Sequence, residues 1–100
     1  MKLYHYSVVF HPEEEKDVYS VFVPALPGCF SCGDSLMEAR YNIREAIELY
    51  LETFLEDNIS LPKNKKFTLK KGEIVEDITV GIDFEIKTGF SENKKELSYV

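Results

Sequence analysis

Nowhere does the chain gather the ~18 consecutive apolar residues that a membrane-spanning helix requires. Its opening, MKLYHYSVVFHPEEE, passes from a short apolar stretch straight into acids, without the apolar core and small-residue cleavage site of a secretory signal. Cysteine is scarce too, being confined to Cys29 and Cys32. With no signal and no disulfide framework, the chain is expected in a reducing cytoplasm, away from membranes. Cations are outnumbered by acids, 12 against 18, which gives a net charge of −6 and a pI near 4.9. Phosphate recognition is mostly cation-driven, so this deficit argues against nucleic-acid binding by the domain itself. It suits a basic protein partner, and it equally serves plain solubility.

What is present is the composition of a folded domain: 44% hydrophobic and 30% charged residues in 100. That length makes one domain, which buries roughly two-thirds of its unfolded surface and needs no covalent staple. No internal repeat, low-complexity tract or linker divides it.

YHYSVVF, Tyr4 to Phe10, places Tyr4, Tyr6, Val8 and Phe10 on one face and His5, Ser7 and Val9 on the other, the period of a strand. The polar turn HPEEEKD leads into VYSVFV, Val18 to Val23, a second strand that pairs back antiparallel. PALPG, Pro24 to Gly28, is turn chemistry, since proline restricts φ and glycine admits values other residues resist. CFSC then forms a short third strand, closed by Gly33 and Asp34. Ser35 with Glu38 three residues later is a capping box. Behind it Leu36, Ala39, Ile43, Ala46, Ile47, Tyr50, Leu51, Phe54 and Leu55 recur at helical spacing, predicting a helix over 36–56. Arg40, Arg44, Glu45, Glu48, Glu52 and Glu56 fall mostly off that stripe. After a basic connection, DITVGIDFEI, Asp77 to Ile86, alternates as a fourth strand. Ile78, Val80, Ile82, Phe84 and Ile86 face inward; Thr79, Gly81, Asp83 and Glu85 face outward. The expected fold is α+β, a β-β-β-α-β sheet with one long helix packed on one face.

The residues that carry chemistry elsewhere do not converge here. Strand side chains alternate, so Cys29 and Cys32, three apart, point opposite ways and share neither a metal nor a relaxed disulfide. Zinc needs two further ligands, and no second Cys or His pair stands at ligand spacing. A ribonuclease H-like site draws carboxylates from the first strand, the helix and the fourth strand. The first strand has none between Tyr4 and His11, Glu38 is committed to capping, and Asp83 has no evident partner. No serine sits in a G-x-S-x-G setting and no glycine loop cradles phosphate. No enzyme activity, cofactor or metal is expected. Lys63, Lys65, Lys66, Lys70 and Lys71 around Phe67 offer either a phosphate-contacting loop or a solvated connection.

The order of these pieces resembles a known family. The Y-S-V-V-F strand, the P-E-E-E turn, Y-S-V-F-V-P, L-P-G-C-F-S-C-G-D-S and the N-I-R-E-A-I-E-L-Y-L helix together resemble the N-terminal domain of HicB-type antitoxins. The resemblance implies a partial ribonuclease H-like fold and a partner of the HicA type, a small basic toxin that cleaves messenger RNA. Cys29 matches a cysteine often found in that family's turn, whereas Cys32 stands where glutamine is usual. Typical members continue into a DNA-binding domain. Here the antitoxin domain is expected over 1–87 and a short tail without DNA-binding function over 88–100.

The resulting expectation is a non-catalytic antitoxin that binds and neutralises a HicA-type toxin. The alternatives are an orphan protein- or ligand-binding module on the same fold, and a nuclease derived from it. Candidate toxin contacts are Glu13, Glu14, Glu15 and Asp17 in the acidic turn, with Tyr19, Phe22, Leu26, Pro27 and Phe30 around the second and third strands. The apolar members of that set either meet a partner or complete the core. Unpaired sheet edges lead one to expect a homodimer or higher homo-oligomer.

Overall fold

The computed structural model describes residues 1–83. Strands β1 (Lys2–Pro12), β2 (Tyr19–Phe22) and β3 (Phe30–Gly33) precede helix α1 (Leu36–Glu56), and β4 (Ile74–Ile82) follows it. All neighbours are antiparallel, in the order β3-β2-β1-β4, so the first strand is central. The expected α+β arrangement is therefore present, with α1 covering one face of the sheet.

Pairing explains the strand bounds better than local pattern does. Val9 to Pro12 pair with Phe22 to Tyr19, while Lys2 to Phe10 pair with Ile82 to Ile74. This ladder carries β1 beyond the Tyr4–Phe10 alternation and draws β4 back from Asp77 to Ile74. β2 is shorter than the apolar run Val18–Val23 because both ends enter turns. The Val18 N–H donates to the Glu15 carbonyl, and Val23 accepts from Leu26 while donating to Cys29. β3 lies one residue later than CFSC. Phe84, Glu85, Ile86 and the expected tail 88–100 lie outside the described residues.

Inside the layer, Tyr6, Val8, Phe10, Val21, Ile78 and Val80 meet Ala39, Ile43, Ile47 and Leu51 of α1, spaced four apart. Ser35 caps the helix, its Oγ accepting from the Glu38 N–H at 3.0 Å. The Glu38 carboxylate reaches back one residue further than a usual capping box, to the Asp34 N–H. At the other end Asn58 takes φ 58°. The N–H groups of Asn58 and Ile59 return to the carbonyls of Leu55 and Phe54, a Schellman closure. Arg40, expected off the apolar stripe, instead spans the layer. Its Nε and Nη2 donate to both oxygens of Glu76 at 2.7 and 2.6 Å, and its guanidinium carbon lies 6.0 Å from the Phe10 ring centroid. Arg44 reaches the same strand, at the Thr79 carbonyl.

Candidate protein-binding face

Register places a second set of side chains on the face away from α1. Phe30 pairs with Phe22, Phe22 with Val9 and Val9 with Val75, so these four form one apolar row across all four strands. Val9 is 1% exposed, yet Phe22 is 40% and Phe30 is 71% exposed. Beside this row run Cys32 and Ser20, paired across β3 and β2, then His11 on β1. Further along, His5 Nδ1 lies 2.8 Å from Thr79 Oγ1 and Ser7 Oγ donates to Asp77 at 2.9 Å. On this face the apolar row is thus flanked by polar side chains on both sides, His11, Ser20 and Cys32 towards the β1–β2 turn and Ser7 and His5 towards the other end of β1. Asp83 does have a neighbour, the N-terminal ammonium at 3.3 Å.

The acidic turn adjoins the His11–Ser20–Cys32 row, one row beyond the apolar side chains. Glu13 to Asp17 are all exposed, but they are not equivalent. The Glu13 N–H donates to the Val18 carbonyl, and Glu13 Oε2 accepts from Ser20 Oγ at 2.6 Å. Asp17 takes φ 68°, a value aspartate tolerates better than most residues. The Glu15 carbonyl accepts from the Val18 N–H, but the side chains of Glu14 and Glu15 have no hydrogen-bond partner among the described residues.

The turn after β2 sorts the remaining candidates. Leu26, a candidate for either contact or core, is fully buried and belongs to the core. The reason is a turn over Leu26–Cys29, closed by the Cys29 N–H on the Leu26 carbonyl at 2.9 Å, with Pro27 second and Gly28 third at φ 85°. That is type II chemistry, and it tucks Leu26 inward while leaving Pro27 exposed. Tyr19 is half-buried on the helix side, packed against the core. Phe22, Pro27 and Phe30 remain at the surface; Val75 and Ser20 join the face without having been singled out. The signal for Val75 lay only in the register, because Ile74 to Glu76 precede the alternating stretch.

The cysteines separate as expected from their spacing. Cys29 is buried, and burial pushes its thiol up to about 11; Cys32 is exposed on the open face. Neither is in a disulfide. Among the described residues no three His, Cys, Asp or Glu side chains gather as a metal site. Nor is any helix there long and apolar enough to cross a membrane.

Two carboxylates tie β4 to its surroundings. Glu73 accepts from the Lys70 N–H at 2.7 Å and from His11 Nδ1 at 3.0 Å. Its carboxyl is held below the usual value, first by the backbone bond and then by the histidine. Glu76 is lowered chiefly by its hydrogen bonds from Arg40. A depressed folded pKa gives stability that is complete above the unfolded value of 4.5 and is lost as pH falls through the folded one. The urea midpoint is therefore expected to drop as pH is lowered below 4.5. Part of that slope disappears in an Arg40→Met, Glu76→Gln double variant. An unchanged slope in the variant would remove Glu76 from the acid response.

The family model described as HicB_like antitoxin of bacterial toxin-antitoxin system matches residues 6–91. The chain belongs to the HicB-like antitoxin family. Among HicB-like relatives of known structure, the N-terminal domain of the Burkholderia pseudomallei antitoxin HicB aligns at TM-score 0.59 and 26% identity, over 81% of this chain and 100% of that one. A chain of the HicA3 and HicB3 toxin-antitoxin complex aligns at TM-score 0.56 over 74% of this chain and 94% of its own; at 18% identity it shares the fold alone. A UPF0150 protein of Helicobacter pylori is 40% identical over 68 residues, 68% of this chain and 86% of its own length. An uncharacterized 14.9 kDa protein of Haemophilus phage HP1 is 52% identical over 52 residues. That match spans 52% of this chain but only 39% of the phage protein's length.

Proposed function

We propose that the chain is a non-catalytic antitoxin that binds and neutralises a HicA-type, mRNA-cleaving toxin. The observation that carries this reading is the apolar row ending in Phe22 and Phe30, with the exposed carboxylates Glu14 and Glu15 one polar row away at the turn end of the sheet, in a chain of the HicB-like family. A small basic protein would meet apolar surface and opposite charge at one place. Catalysis finds no support in the side chains: β1 carries no carboxylate, Glu38 is spent on the helix cap, and Glu76 is clamped by Arg40. Of the residues proposed as contacts, Glu13, Asp17 and Tyr19 chiefly shape the turn and the core edge. Phe22, Pro27 and Phe30 are the surface hydrophobes. The edges of β3 and β4, unpaired among the described residues, support assembly as a homodimer or higher homo-oligomer.

The test is co-expression with a small basic protein of the HicA type, scored by pull-down and by rescue of growth. A stable complex with rescue is expected. Neither complex nor rescue would sink the antitoxin reading and leave a binding module on the same fold. Metal-dependent cleavage of RNA by the pure chain would overturn the non-catalytic part.

A further inference from the structure

The β3 edge carries a second apolar feature, separate from the acidic turn. A groove of about 330 Å³ opens between the Gly28–Phe30 strand entry and the C-terminal half of α1, lined by Cys29, Phe30, Leu49, Tyr50 and Phe54 among others. It is a formed surface. Tyr50 donates its hydroxyl to the Pro27 carbonyl at 3.0 Å and stacks on Phe54 with centroids 4.7 Å apart. Leu49, at its rim, lies outside the core-facing stripe and is 67% exposed.

The rim is charged with one sign. Glu45 and Glu52 stand four and three residues from Leu49, and Glu56 three from Thr53, so all three neighbour the groove on the helix surface. The last turn of α1 has no basic residue, and the two helix arginines are held at β4. Among the described residues none of these carboxylates has an ion-pair partner.

The chain also contains the complement of this surface. Lys63, Lys65, Lys66, Lys70 and Lys71 place five of the twelve cations in nine residues, leaving seven against eighteen carboxylates elsewhere. Residues 59–70 form neither helix nor strand, and the segment carries apolar side chains of its own, Phe67 half-buried and Leu69 exposed. Within one copy the two surfaces do not meet. Lys65, Lys66 and Phe67 line a recess with Ser7, whose side chain is on the sheet face away from α1. Among the described residues none of the five lysines pairs with a carboxylate. The dimensions agree: Glu45 to Glu56 covers about 16 Å of helix, which an extended chain crosses in about five residues.

We propose that the groove beside Phe30 receives the Lys63–Lys71 segment of a second copy of this chain. The contact is reciprocal, giving a two-fold dimer in which each copy offers one groove and one segment. This reading shares Phe30 with the proposed toxin contact but rests on the groove and its acidic rim, and it names residues for the assembly that the sheet edges only suggest.

A charge exchange tests it, read by sedimentation velocity over a concentration series. The triple variant Glu45→Lys, Glu52→Lys, Glu56→Lys and the triple variant Lys63→Glu, Lys65→Glu, Lys66→Glu are each expected to self-associate at least about tenfold more weakly than the native chain. Mixed in equal amounts, they restore a dimer to within a few-fold of the native dissociation constant, since both contacts then pair opposite charges. Adding Leu49→Ser to the first variant weakens that recovery, since one of the two grooves then loses its apolar rim. All seven positions are exposed, and circular dichroism checks that each variant folds. A native chain that stays monomeric throughout overturns the proposal, as does a mixture that fails to recover. So does weakened toxin capture by the first variant with native self-association intact, which would assign the groove to the toxin.

Discussion

Gly33→Ala is expected to be among the most damaging single-atom additions this fold can receive. Gly33 ends β3 on the helix side of the sheet, directly under the first turns of α1. A Cβ there would collide with the backbone N of Ala39 and stand 2.8 Å from its Cα and from the Glu38 carbonyl carbon. These are backbone atoms of a capped helix, so no flexible side chain can swing away. Relief requires α1 to lift from β3, which would open the packing around Ala39 and Ile43. The penalty belongs at the upper end for overpacking, about 3 kcal/mol or more, a large share of a small domain's stability.

Gly28→Ala supplies the contrast. Gly28 has φ 85° and open space around the position of a Cβ. Its cost is the local strain of a left-handed residue, about 1 to 2 kcal/mol. Urea unfolding of both variants at unchanged slope separates the mechanisms. If Gly33→Ala loses no more than Gly28→Ala, then α1 is not seated on β3 as closely as described.

The contrast also shows what a sequence of this kind reveals. Helix α1 was legible at both ends of its range because its signals are local: a Ser35–Glu38 cap and an apolar stripe at constant spacing. The turn at Pro27–Gly28 was equally legible, from the two residue types that fix φ. Strand limits were not, because β4 owes Ile74–Glu76 to pairing with Val8–Phe10, more than sixty residues earlier in the chain. The binding face suffered from the same gap. Alternation alone put Val9 opposite Tyr6 and Val8, but only register aligns it with Phe22, Phe30 and Val75. Of the two roles open to Leu26, core or contact, only the structure decides for the core, because a turn residue's direction depends on the turn's closure, which sends Leu26 inward. Arg40 looked like a solvent-facing residue on α1; its partner Glu76 lies on the opposite side of the layer and 36 positions away.

Reversing two charges at the acidic turn is expected to slow capture of the proposed HicA-type toxin far more than it loosens the complex. The informative variant is Glu14→Lys with Glu15→Lys. It spares Glu13, which holds Ser20, and Asp17, whose φ of 68° is poorly suited to lysine. Opposed potentials accelerate encounter, and rim charges act mainly on the association rate. Association with the basic toxin should therefore fall about tenfold at low ionic strength, with little change in dissociation. The deficit should fade near 1 M salt, where the Debye length is about 3 Å. Phe22→Ala should behave in the opposite way. An aromatic anchor in the middle of an interface acts on dissociation, by about 2 kcal/mol or a factor near thirty if it is buried by the partner. Stopped-flow association and a dissociation chase, at two salt concentrations, resolve the two signatures. Native association rates in the double variant at low salt would take the acidic turn out of the interface. Native dissociation in Phe22→Ala would take the apolar row out of it. The antitoxin would then have to bind through another surface of the fold.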